Sequence, residues 1–124
     1  MRLFLLLGSL NMALSIALGA FGAHGLKGKV AEKMIANWNT GAHYHMIHAL
    51  GMLIVGILLS KVQDSGMLTT SGWLMLVGVV LFSGSLYVMA VTGVTKLGAI
   101  TPIGGLAFIM AWILMAAVAY KQFS

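Results

Sequence analysis

Four side chains in this chain are suited to proton transfer or ligation: His24, His43, His45 and His48, all between Phe21 and Gly51. Imidazole changes charge near neutral pH and is a common metal ligand. His45 and His48 are three residues apart, so on a helix they lie near one face, with Tyr44 beside them. Three chemistries fit. Metal could be held by His45 and His48 with His24 approaching, or haem b by His24 and His48 from different helices. A cavity lined by His48, Tyr44 and Tyr87 could take a lipid, a quinone or a small solute, or pass protons. The third is a hydrogen-bonded polar layer that sets helix register, with His24 and His43 at the membrane interface. The third is favoured. A metal site draws on carboxylates as ligands or as partners of its histidines, and the two acids, Glu32 and Asp64, fall outside the apolar segments. No catalytic residues, no metal ligands and no cofactor are therefore assigned.

The surroundings of these histidines are nearly all hydrocarbon. Of 124 residues, 60% are hydrophobic and 7% charged, against roughly 25% charged in soluble domains. Mean hydropathy is +1.03. A surface so poor in charge is solvated by lipid, not water. The net charge of +5 comes from scattered single basic residues. Nucleic-acid binding needs a clustered basic face, so nucleic acid is excluded as a partner and membrane lipids are expected. The absence of cysteine removes disulfides, thiolate metal sites and cysteine nucleophiles. No nucleophile elbow, His-Glu-x-x-His, carboxylate pair or phosphate loop is present.

The expected fold is an all-α membrane protein, a bundle of four transmembrane helices in one domain over residues 1–124, with spans at about 3–23, 42–60, 68–91 and 101–120. The apolar run after Arg2 is too long for a signal-peptide core and reads as the first span. Gly8, Asn11, Ser15, Gly19 and Gly22 recur on one face of it at three- and four-residue spacing, which predicts the packing face. Gly25 and Gly28 predict a turn. Residues 29–40 alternate apolar and polar at helical spacing, with Trp38 on the apolar side. They predict a short amphipathic interfacial helix with Trp38 at headgroup depth, or a lid over the bundle mouth. Residues 62–67, carrying Asp64, predict a turn. The third span opens near Trp73 and carries Ser83, Gly84, Ser85 and Tyr87 in its second half. Thr101-Pro102 starts the fourth helix, or that helix starts at Leu97 and kinks at Pro102. Gly104 and Gly105 permit close packing near its start.

Four spans place both termini on one side and the first and third loops on the other. His24, Tyr44, His45, His48, Tyr87, Thr92 and Thr101 then arrive at similar depth, as one polar layer drawn from all four spans. Intramembrane ionisable groups are a functional-site hypothesis by default.

Four segments together carry a resemblance: LGAFGAHGL (Leu18 to Leu26), YHMIHALGML (Tyr44 to Leu53), LFSGSLYVMAVTG (Leu81 to Gly93) and ITPIGGLAFIMAW (Ile100 to Trp112). In them the chain resembles the domain of unknown function 423 family of small four-span membrane proteins, relatives of the transmembrane protein 256 family. The resemblance implies a protein of the bacterial cytoplasmic (inner) membrane, with cytoplasmic termini and no established activity. It brings no catalytic residues. The expected function is a non-enzymatic structural or accessory membrane component that forms a homo-oligomer or packs on a membrane-protein partner. The alternative is a site for a lipid, quinone, proton, haem or metal at the His/Tyr layer.

Overall fold

The computed structural model describes residues 1–62 and 65–123. Five α-helices follow one another: α1 (Arg2–Gly25), α2 (Glu32–Leu59), α3 (Gly66–Gly78), α4 (Gly84–Thr92) and α5 (Thr101–Gln122). A π-helical segment, Val79–Ser83, joins α3 to α4 in one rod, and a 3-10 turn, Thr95–Ala99, precedes α5. Among the described residues there is no strand. Four helical stretches are long and apolar enough to cross a membrane, with hydropathy of 1.6 to 2.3. The fold is an all-α membrane bundle.

Glycine and proline punctuate the chain where the backbone turns. Gly28 and Gly93 have positive φ, 78° and 74°, a conformation that disfavours any side chain. Gly93 ends α4, its N–H donating to Met89 O at 2.8 Å. Ser65 caps α3, its Oγ accepting from Leu68 N at 3.0 Å. Gln63 and Asp64, in the expected turn at 62–67, lie outside the described residues.

The separate interfacial helix expected at 29–40 is not formed. Residues from Glu32 onward are the first turns of α2, which runs 28 residues without a break. Nothing between Asn39 and Gly41 stops it. Thr40 Oγ1 donates to Ala36 O at 3.0 Å, within the helix. Gly41 is used for approach: a Cβ there would come 3.1 Å from the Tyr87 ring and 3.2 Å from Ser83 O. Trp38 is not an anchor facing lipid. It is buried between helices, covers Gly22, and its Nε1 donates to Leu18 O of α1 at 2.7 Å. A side chain of this size fills an interhelical gap once its N–H has a partner.

α5 starts at Thr101 with Pro102 in its first turn, where a missing N–H costs nothing. Thr101 does not cap it: no side-chain cap is made, and its hydroxyl is committed to α4.

The helices are not equivalent. α2 and the rod have 44% of their most apolar stretch buried in the bundle, α1 and the stretch Thr95–Gln122 only 17% and 22%. α2 and the rod are thus the inner pair. α1 packs chiefly on α2, and α5 chiefly on the rod. Both outer contacts use glycine for close backbone approach. A Cβ on Gly8 would sit 2.9 Å from Ala49 O, and one on Gly104 would collide with the backbone at Phe82. In lipid, where apolar surface gains nothing from association, such approach and interhelical hydrogen bonds supply the cohesion. The apolar core falls into two parts. One gathers Phe4, Met52, Leu68, Met75 and Phe108. The other holds Leu26, Trp38 and Ala90. Along α2, His45 and His48 lie between the two.

Candidate functional site: two histidine clusters

The polar residues between the two apolar clusters do not form one layer. They form three separate groups.

The first is centred on His45, which α2 points between α1 and α4, buried at 2% exposure. Its Nε2 lies 2.8 Å from Asn11 Oδ1 and its Nδ1 lies 3.0 Å from Tyr87 Oη. The Asn11 Nδ2 is occupied, donating to Leu7 O at 2.8 Å. Asn11 therefore presents its oxygen to His45, Nε2–H donates to it, and Tyr87 O–H donates to Nδ1. Three helices are joined through one neutral imidazole. Trp38 stacks obliquely on Tyr87 at 4.7 Å and completes the wall.

The second is centred on His48, one helical turn further along α2 and turned toward α5. Trp112 Nε1–H donates to His48 Nε2 at 3.0 Å, so Nδ1 carries the proton and donates to Tyr44 O at 2.7 Å. The ring lies flat on Phe108, with centroids 3.5 Å apart and planes 9° apart. The two buried histidines thus hold opposite tautomers, each set by its neighbours.

In the third group, Ser85 Oγ donates to Phe82 O at 2.9 Å and accepts from Thr101 Oγ1 at 2.6 Å, tying α4 to the start of α5.

The expected site residues are divided accordingly. Tyr87 belongs with His45, not with His48. His24 is exposed at the end of α1 and joins no group. Tyr44 is 39% exposed; its carbonyl serves His48 while its ring lies 4.7 Å from Phe82. Thr92 Oγ1 bonds within its own helix, to Val88 O at 2.6 Å. The haem pairing of His24 with His48 does not assemble, since His24 is at the surface and both His48 nitrogens are engaged. Among the described residues, no group of three or more His, Cys, Asp or Glu side chains is placed to hold a metal.

The small-residue face of α1 also resolves by position. Gly8 and Gly22 are in tight contact with α2. Ser15 is fully buried, yet its hydroxyl bonds Met12 O of its own helix at 2.8 Å. Gly19 makes only an ordinary contact, 3.9 Å from a Cβ position to Ala42. Gly84 and Gly105 are not close-packing glycines, for a Cβ at either would meet nothing nearer than 3.8 Å. Ser83 Oγ is buried with no hydrogen-bond partner among the described residues, in the π-helical segment where Gly84 N–H reaches back to Val79 O. Such segments recur at functional sites.

Two residues were missing from the histidine layer as read from sequence. Asn11 was visible only as packing polarity. Trp112 had a signal: a tryptophan in mid-span, four residues after Phe108, whose N–H needs an internal partner in lipid. Beside it, Tyr44, Ile47, His48, Phe82, Phe108 and Trp112 line an apolar groove of about 430 Å³, open to the lipid side.

The sequence profile described as "Protein of unknown function (DUF423)" matches residues 18–105. The chain belongs to this family. The match takes in His45, His48, Tyr87, Ser85 and Thr101; Asn11 and Trp112 fall outside it. Over 98% of both chains it is 53% identical to the UPF0382 membrane protein YwdK of Bacillus subtilis. It is 45% identical, again over 98% of both, to the UPF0382 membrane protein SH2409 of Staphylococcus haemolyticus. A third relative, the UPF0382 membrane protein SERP0230 of Staphylococcus epidermidis, is 43% identical at the same coverage. No solved structure matches the chain. The family's description assigns no activity, and the names of these relatives say only that they are membrane proteins.

Proposed function

We propose that this chain is a non-enzymatic structural or accessory component of the bacterial cytoplasmic membrane, with both termini on the cytoplasmic side. One observation carries the reading: all four ring nitrogens of the buried His45 and His48 are engaged by partners within the chain. A metal ligand needs a free nitrogen directed at its ion, and a general base must reach a proton of its substrate; here the accepting nitrogens face Tyr87 O–H and Trp112 N–H. These histidines instead join α2 to α1, α4 and α5. The chain also forms a homo-oligomer or packs on a membrane-protein partner. The support is a second line of small residues on α1, Ser9, Ala13, Ala17 and Ala20, which stays exposed after the four-helix contacts are made.

The test is the mass of the purified protein in mild detergent and in nanodiscs, with native mass spectrometry of the same sample. More than one copy per particle, with no small molecule retained at the histidines, is expected. A single copy under both conditions removes the oligomer. A retained molecule that is lost in His48→Leu removes the structural reading in favour of a binding site. The groove beside His48 favours that second reading. Its lining is largely apolar and suits a lipid chain; the Trp112 and His48 donors are already used, and Tyr44 brings the groove its hydroxyl.

A further inference from the structure

A second, open cavity, of about 410 Å³, lies where α1 ends and α2 begins. It is lined by Gly22, Ala23, Lys27, Glu32, Ile35 and Asn39. Its volume is within the range of small-molecule sites. Gly22 and Ala23 are the last small residues of the α1 apolar run, and Lys27 and Glu32 follow in the connection and at the first residue of α2. The cavity thus runs from the edge of the hydrocarbon into the headgroup layer. Its chemistry is mixed: one ammonium, one carboxylate and one amide on an apolar floor. Lys27, Glu32 and Asn39 are all exposed.

We propose that this cavity binds the headgroup of a phospholipid bearing a primary amine, a phosphatidylethanolamine, with its phosphate at Lys27 and its ammonium at Glu32. Charge complementarity selects among headgroups. A purely anionic headgroup satisfies Lys27 but sets its charge against Glu32. A choline headgroup has the right charges, but its quaternary nitrogen donates no hydrogen bond and is held by aromatic cages, and no aromatic residue lines this cavity. A primary ammonium offers three donors to the carboxylate. Asn39 adds an amide at the phosphate or the glycerol ester. The acyl chains leave along the exposed lipid face of α2, past His43 and Ile47.

The test uses the full-length protein, delipidated in mild detergent, and native mass spectrometry with phosphatidylethanolamine, phosphatidylcholine and phosphatidylglycerol of identical acyl chains. The ethanolamine lipid is expected to bind about fivefold more tightly than the choline lipid, the size of one exposed charge-assisted contact. Lys27→Gln lowers the binding of both by about fivefold. Glu32→Gln weakens the ethanolamine lipid more than the choline lipid, so that the two bind alike. Both side chains are exposed, so helicity by circular dichroism stays that of the native chain. Equal binding of ethanolamine and choline lipids, or variants that bind as the native chain does, overturns the proposal. Tightest binding of the glycerol lipid also overturns it, and reduces the site to a basic surface. Displacement of the lipid by millimolar soluble phosphoethanolamine would assign the cavity to a free solute instead.

Discussion

The indole N–H of Trp112 donates to His48 Nε2 at 3.0 Å, and this single bond decides which proton the imidazole carries. With Nε2 accepting, Nδ1–H is left to donate to Tyr44 O. Trp112→Phe keeps an aromatic ring and removes the donor, together with the part of the indole that packs at Gly51. It is expected to lower stability by about 0.6 kcal/mol and at most about 1.7 kcal/mol, the range for interhelical hydrogen bonds in membranes. Unfolding of the reconstituted protein in a graded detergent mixture measures it. No change, or a gain, would show that the bond contributes nothing.

His45 couples α1 to α4 through Asn11 and Tyr87. Asn11→Leu and Tyr87→Phe each leave one ring nitrogen without its partner. Because both act through one imidazole, their effects are expected to depart from additivity by about 0.5 kcal/mol or more. A double-mutant cycle reads this directly; strictly additive costs would mean that the two bonds are independent.

Two buried serines are expected to respond in opposite directions. Ser71 Oγ donates to Ala111 O at 2.8 Å across the α3–α5 contact, so Ser71→Ala lowers stability by about 0.6 kcal/mol. Ser83 Oγ has no partner among the described residues. Ser83→Ala removes an unsatisfied buried hydroxyl and raises stability by about 1 kcal/mol. Parallel thermal-unfolding curves compare the two variants, and a loss in Ser83→Ala would refute the assignment.

Adjacent glycines at the start of α5 offer a sharper contrast. A methyl group on Gly104 meets the backbone at Phe82, which cannot rotate away, whereas one on Gly105 finds nothing closer than 3.8 Å. Gly104→Ala is expected to cost about 1–3 kcal/mol and Gly105→Ala within about 0.5 kcal/mol of nothing. Equal losses would show that α5 does not approach the rod as described.

Much of the fold was legible because the relevant physics is local. A run of some twenty apolar residues must close its own backbone hydrogen bonds in lipid, and a helix is the way to do so within one segment. Composition therefore determined the four spanning helices and the membrane as solvent. It also determined that the polar residues of the spans need partners. Residues 29–40 do not form the separate helix their spacing predicts, because amphipathic spacing reports which face is polar, not where a helix ends. Gly41 resembles a stop in sequence, and only its contact with Tyr87 and Ser83 gives it a use inside a continuous α2.

Pairing was decided by tertiary structure alone. Depth along the chain put His45, His48, Tyr87 and Thr101 at one level, but a level is a plane and a hydrogen bond is a direction. The rotation of each helix about its axis sends His45 toward Asn11 and Tyr87, His48 toward Trp112, and Ser85 toward Thr101. That rotation depends on where backbones approach most closely, at Gly8 and Gly104, and on the π-helical segment, which shifts the residues after Ser83 around the rod. The sequence by itself thus determined that this is a membrane bundle with buried imidazoles in need of partners. The packing of the four helices chose the partners, because interhelical contact is set by shape and direction that no single segment encodes.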